Sequence, residues 1–101
     1  MRSADDTEIA TTARIITVRV IYLARLREAL GRASETLAFG SEAAPSVSDL
    51  MTVLRARGGA WAHELGAGRV VRFAVNQRLA RADTPIADGD EVAVFPPVTG
   101  G

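Results

Sequence analysis

Cysteine is absent from these 101 residues. That excludes disulfides, cysteine nucleophiles and thiolate metal sites, and it fits a reducing cytoplasm, the expected location. Any sulfur the chain handles has to sit on something other than a side-chain thiol. Lysine is absent too, since all 12 basic residues are arginine. A chain carrying an activated carboxyl group would then offer no ε-amine of its own kind to attack, although codon bias in a GC-rich genome gives the same composition. The 12 acidic residues cancel the arginines, so no global charge points to nucleic acid or an anionic membrane. No apolar run approaches the roughly 18 residues that span a bilayer. The single histidine, His63, stands without a partner motif and reads as solvated or packed.

At 48% hydrophobic residues, the chain has the material for one soluble domain and little room for a second. Residues 1–14 are small and polar, with no secretory apolar segment, and read as a disordered extension or cloning remnant. Residues 15–95 form the expected domain, and residues 96–101 a flexible arm.

Ile15 to Leu23 is β-branched and aromatic, and predicts a strand. Val18, Val20 and Tyr22 share one face; Arg19, Ile21 and Leu23 share the other. Ala24 to Leu30 predicts a short helix closed by Gly31. Ser34 to Phe39 reads as a second strand, hairpin-like with the first. Ser46 to Arg57 is the main helix: Val47, Leu50, Met51 and Leu54 make an apolar stripe, and Asp49 sits three residues after Ser46. Trp61 to Leu65 supplies at most one more helical turn, with Trp61 against the helix. Val70 to Gln77 predicts a third strand, Leu79 to Arg81 a short fourth and Glu91 to Phe95 a fifth. The turn-rich Asp83–Asp90 segment includes Asp88-Gly89-Asp90, which lacks the spacing of a calcium loop. The expected class is therefore α+β: a mixed sheet of about five strands with one main helix across one face, in a ubiquitin-like β-grasp arrangement.

The fifth strand runs into Pro96-Pro97-Val98-Thr99-Gly100-Gly101. Neither proline donates a ladder hydrogen bond, so the chain leaves the sheet as a stiff arm. Six residues reach roughly 20 Å when extended. Two side-chain-free glycines can thread a channel too narrow for a Cβ. Such an arm suits delivery of a terminal carboxyl group into another protein's active site, where it needs prior activation. A frayed glycine tail is the ordinary alternative; the strand, the two prolines and the closing Gly-Gly together favour delivery.

Phe95-Pro-Pro-Val-Thr-Gly-Gly101, Asp88-Gly89-Asp90-Glu91-Val92-Ala93, Ala74-Val75-Asn76-Gln77 and Leu26-Arg27-Glu28 resemble, in order and spacing, the small subunits of molybdopterin synthase. The resemblance covers about Thr17 to Gly101 and implies a sulfur carrier. It implies adenylation of Gly101 by a ubiquitin-activating-like adenylyltransferase that uses ATP and magnesium. It further implies a thiocarboxylate charged by a sulfur donor protein, then insertion of Gly100-Gly101 into the large synthase subunit in a heterotetramer. There cyclic pyranopterin monophosphate becomes molybdopterin. Leu23, Leu79 and Phe95, with Pro96, Pro97, Val98 and Thr99, match the family's partner-binding positions; from the residues alone, Leu79 and Phe95 suit core or interface equally. Arg25, Arg27 and Arg72 suit acidic groups on a partner or plain solvation. No acid–base pair, nucleophile, metal or bound cofactor is expected in the chain itself. A carrier for thiamin-thiazole or cysteine synthesis, a ubiquitin-like protein modifier and a non-covalent binding module remain open alternatives.

Overall fold

The computed structural model describes residues 14–41 and 44–97. The elements run β1 (Arg14–Tyr22), α1 (Arg25–Leu30), β2 (Ser34–Ser41), α2 (Val47–Arg55), α3 (Gly59–Leu65), β3 (Arg72–Val75), β4 (Arg78–Ala80) and β5 (Glu91–Phe95). They form one five-stranded sheet in the order β2-β1-β5-β3-β4. The first and last strands are the parallel central pair, with Arg19 opposite Glu91 and Tyr22 opposite Val94. The other pairings are antiparallel. This is the expected ubiquitin-like β-grasp sheet.

Strand periodicity sorts β1 between two environments. Ile16, Val18, Val20 and Tyr22 are buried, as are Val92 and Val94 of β5. Against them lies the α2 stripe of Val47, Leu50, Met51 and Leu54, all buried. The α2 start is braced by Asp49, whose carboxylate accepts from the Ser46 backbone N–H at 2.8 Å and from Ser46 Oγ at 3.2 Å. On the helical side, Trp61–Leu65 grows into the seven-residue α3, which begins at Gly59 after Gly58, both at positive φ. The third strand is shorter than residues 70–77, because Val70 is 65% exposed and Asn76-Gln77 forms the turn. The fourth begins at Arg78 rather than Leu79 and ends at Ala80.

The covered side carries one polar cluster that sequence patterning did not reveal. Tyr22 Oη donates to Glu35 Oε2 at 2.5 Å, and Arg57 donates to both Glu35 oxygens at 2.8 and 2.9 Å. Arg32 adds a bond at 3.0 Å. Trp61 meets Tyr22 edge-on at 5.4 Å between ring centroids, and the Arg57 guanidinium lies 4.5 Å from the Trp61 centroid. The Arg57 hydrogen bonds hold the Glu35 carboxyl below the usual carboxylate range. Burial, then the Glu35 contact, pushes the Tyr22 hydroxyl well above its ordinary value. Together these contacts clamp β1, β2 and the C-terminal end of α2 to α3.

The register of β5 is fixed from its first residue. Thr17 N–H donates to Asp88 Oδ1 at 2.8 Å, and Gly89 N–H to Thr17 O at 2.7 Å. Asn76 Nδ2 donates to Asp90 Oδ1, while Asn76 Oδ1 accepts from Glu91 N–H, both at 3.0 Å. The acidic Asp88–Glu91 stretch is thus a turn that locks β5 to β1 and β3. Asn76 and Gln77 both take positive φ, 50° and 70°, in the two-residue β3–β4 turn. Left-handed backbone disfavours a glutamine by about 1–2 kcal/mol, partly offset by the extra unfolded-state freedom of glycine. Gln77→Gly should therefore raise stability by about 0.5–1 kcal/mol in urea titration, at unchanged m-value.

Candidate partner interface and arm exit

The helices cover one side of the sheet, which leaves the other to the odd positions of β1. The cross-strand registers set Ile21 beside Ala93, Ala93 beside Ala74, and Ala74 beside Leu79. Four strands at about 4.8 Å spacing make this an apolar row roughly 15 Å long. Leu79 is 83% exposed, so its apparent fit to core or interface resolves to the open surface. The two alanines keep the middle of the row low between Ile21 and Leu79.

One residue further along, the parallel register sets Leu23 beside Phe95, and Phe95 lies opposite Arg72. Leu23 is 41% exposed; Phe95, Pro96 and Pro97 are half-buried. Leu23 N–H donates to Val94 O at 3.1 Å, two residues before the first proline. The arm therefore leaves from the apolar end of the open face. The opposite end holds Arg19, Glu91 and the acidic turn, and is polar. Val98, Thr99, Gly100 and Gly101 lie outside the described residues.

Of the arginines with a possible partner role, Arg25 is engaged inside the chain, donating to Glu64 Oε1 at 2.6 Å. That bond holds the Glu64 carboxyl below its usual range. Arg27 and Arg72 are exposed. Ala93 and Ala74, at the middle of the row, were not singled out by sequence because alanine carries no interface signal of its own; only the register finds them. His63 is exposed and contacts Arg69 at 2.7 Å. Among the described residues no group of three His, Cys, Asp or Glu side chains could hold a metal ion. Among them, too, no helix is long and apolar enough to cross a membrane.

Comparison with known proteins places this geometry. A model of the ThiS family matches residues 20–101. The chain belongs to the ThiS family. A curated relative, the molybdopterin synthase sulfur carrier subunit of Escherichia coli K12, is 40% identical over 84 residues, covering 83% of this chain and 99% of that one. A putative molybdopterin converting factor subunit 1 from Pyrococcus furiosus superposes with a TM-score of 0.68 at 34% identity, covering 82% and 99% of the two chains. The small archaeal modifier protein 1 of Methanosarcina acetivorans gives 0.66 at 25% identity, covering 87% and 99%. Subunits 1 and 2 of the molybdopterin-converting factor from Helicobacter pylori have been solved as a complex, and a chain of it matches with a TM-score of 0.53 at 26% identity, covering 85% and 100%. The ThiS-family match thus runs from inside β1 through the whole arm, the two parts that meet at the exit.

Proposed function

We propose that this ThiS-family chain is the sulfur carrier subunit of a molybdopterin synthase and works in the cytoplasm. The observation that carries the reading is the 40% identity to a sulfur carrier subunit over nearly its full length. The geometry supplies the means: an apolar row beside the exit of an arm that ends in Gly100-Gly101. A carboxylate is a poor electrophile. An adenylating partner therefore joins the Gly101 carboxylate to the α-phosphate of ATP, with magnesium, and releases pyrophosphate. Sulfide-level sulfur delivered by a donor protein then attacks the acyl carbon: the C–S bond forms, the bond to AMP breaks, and a thiocarboxylate remains. Leu23, Leu79 and Phe95 dock the large synthase subunit, while Pro96, Pro97, Val98 and Thr99 lead the thiocarboxylate to cyclic pyranopterin monophosphate. The large subunit performs the chemistry and this chain supplies the nucleophile. The solved Helicobacter pylori complex supports that pairing.

The similarity to a small archaeal modifier protein keeps one second reading in view, conjugation to other proteins. One reconstitution separates the two. Thiocarboxylated chain, large subunit and precursor should yield molybdopterin, with the chain returned as plain carboxylate. No product, together with Gly-Gly isopeptides on lysines of other proteins, would establish the modifier instead. Docking has its own check. Leu79→Asp should weaken binding of the large subunit at least tenfold by calorimetry. Because Leu79 is 83% exposed, folding stability should move by less than about 0.5 kcal/mol.

A further inference from the structure

The sheet ends in two unlike edges. At one end β4 is only three residues long and opens with Arg78. Short, charged edges of this kind discourage pairing with another strand. At the other end β2 runs for eight residues, Ser34–Ser41. It contains no proline and no bulge, since its pairing with β1 runs unbroken from Ser34 to Ser41. Its one charged residue, Glu35, is turned to the helical side and held by Arg57 and Arg32. Among the described residues no strand covers the outer side of β2.

The ladder fixes which backbone groups that outer side presents. Tyr22 N–H donates to Ala33 O at 2.8 Å, which sets the phase of the antiparallel pairing. Glu35, Leu37 and Phe39 therefore turn their N–H and C=O groups to β1, while Ser34, Thr36, Ala38 and Gly40 turn theirs outward. The same four residues put small, uncharged side chains, or none, on the open face, and all four are exposed. Leu37, the apolar residue at the middle of the strand, lies on the helical side and is only half-buried.

This edge is complementary to itself. In antiparallel pairing about a two-fold axis at Leu37, Ser34 meets Gly40 of a second copy and Thr36 meets its Ala38. Every outward N–H and C=O group of these four residues then has a partner. Leu37 faces Leu37 of the second copy as a non-hydrogen-bonded pair, with Cα atoms about 4.5 Å apart, and each covers the other's exposed methyls. A slip of one residue sets outward groups against inward ones, and a slip of two leaves groups unpaired at one end of each edge. We propose that the β2 edge is the interface for a second copy of this chain, which joins the two sheets into one continuous sheet. Because β5 is parallel to β1 and so antiparallel to β2, the two-fold axis points the two arms in opposite directions. The row from Ile21 to Leu79 stays open on both copies, so the proposal does not depend on sulfur transfer.

One strand edge is a small interface, of the weak class below about 1,200 Å², so the dimer forms at high concentration. Sedimentation equilibrium of the chain at up to about 1 mM should show reversible monomer–dimer association. Ala38→Pro removes an outward N–H without breaking a bond to β1, and should weaken that association at least tenfold. The register has its own test, because the chain has no cysteine. With copper phenanthroline in air, Leu37→Cys should cross-link into a disulfide dimer, since the facing Cα atoms fall within disulfide reach. Thr36→Cys should not, because its two copies lie about 8 Å apart, beyond the limit of about 7 Å. Unmoved β1 and β5 amide shifts show that each variant is folded. A chain that stays monomeric at the highest concentration, Ala38→Pro without effect, or equal cross-linking of the two cysteine variants would overturn the proposal. Slow amide exchange at Thr36 and Ala38 in a monomer would overturn it too, and would assign the edge to a segment of the same chain.

Discussion

Deleting Gly101 should abolish sulfur delivery, with molybdopterin formation falling at least 10³-fold, while the melting temperature stays within about 1 °C. In the proposed role the reactive atom is carried at the Gly101 carbonyl, so its position would depend on chain length and on nothing a side chain could replace. One residue fewer draws the terminal carbonyl back by about 3.3–3.6 Å. A shift of about 1 Å in a reacting group already costs about 10²-fold, so 10³ is the conservative figure. One added alanine should do comparable damage, by placing a Cβ where the two glycines leave none. Neither change touches the sheet, whose β5 ends at Phe95, paired with Arg72 of β3. Single-turnover assays with the large subunit, paired with calorimetric melting, separate loss of transfer from loss of fold.

Glu35→Ala should be the most destabilising polar substitution in the described residues, by about 3 kcal/mol. It strips the Tyr22 hydroxyl of its acceptor and removes the carboxylate from both Arg57 and Arg32. Unpaired buried polar groups of this kind cost about 1–3 kcal/mol each, discounted here because Arg57 keeps partial contact with solvent. For a domain of this size the melting temperature should fall by about 10–20 °C. Tyr22→Phe should cost only about 1 kcal/mol, since it removes a donor but leaves Glu35 its two arginines. The sign with pH follows from the depressed Glu35 carboxyl. Its stabilising effect is present above the unfolded value of about 4.3 and is lost as pH falls through the lower folded value. Wild-type stability should therefore drop in acid below about pH 4.3, and the Glu35→Ala variant should lose less of its remaining stability over the same window. Urea titrations of both proteins between pH 3 and 7, roughly spanning that window, measure it.

The strands were legible because β1 and β5 alternate cleanly between Val or Tyr and their outward neighbours, and the main helix because its apolar stripe is regular. Two prolines and two glycines predict an arm after β5, of which only Pro96 and Pro97 lie within the described residues. The Glu35 clamp was not legible. Its members lie at positions 22, 32, 35, 57 and 61, and only the meeting of β1, β2, α2 and α3 brings them together. The middle of the open face was hidden for a different reason. Ala74 and Ala93 matter through their place in the register and their small size, neither of which composition reports. The boundaries of β3 and α3 depended on backbone geometry at Asn76, Gln77 and Gly58, where positive φ ends or begins an element. Leu79 could be assigned to neither core nor surface until the helices were seen to cover only one side.

The most direct measurement is the mass of the C-terminal peptide after the chain is incubated with its activating enzyme, magnesium-ATP and a sulfur donor. One oxygen at Gly101 should be replaced by one sulfur. That sulfur should disappear, one atom per chain, when the large subunit and precursor are added. A C-terminal peptide of unchanged mass, or sulfur retained while molybdopterin still accumulates, would contradict the account.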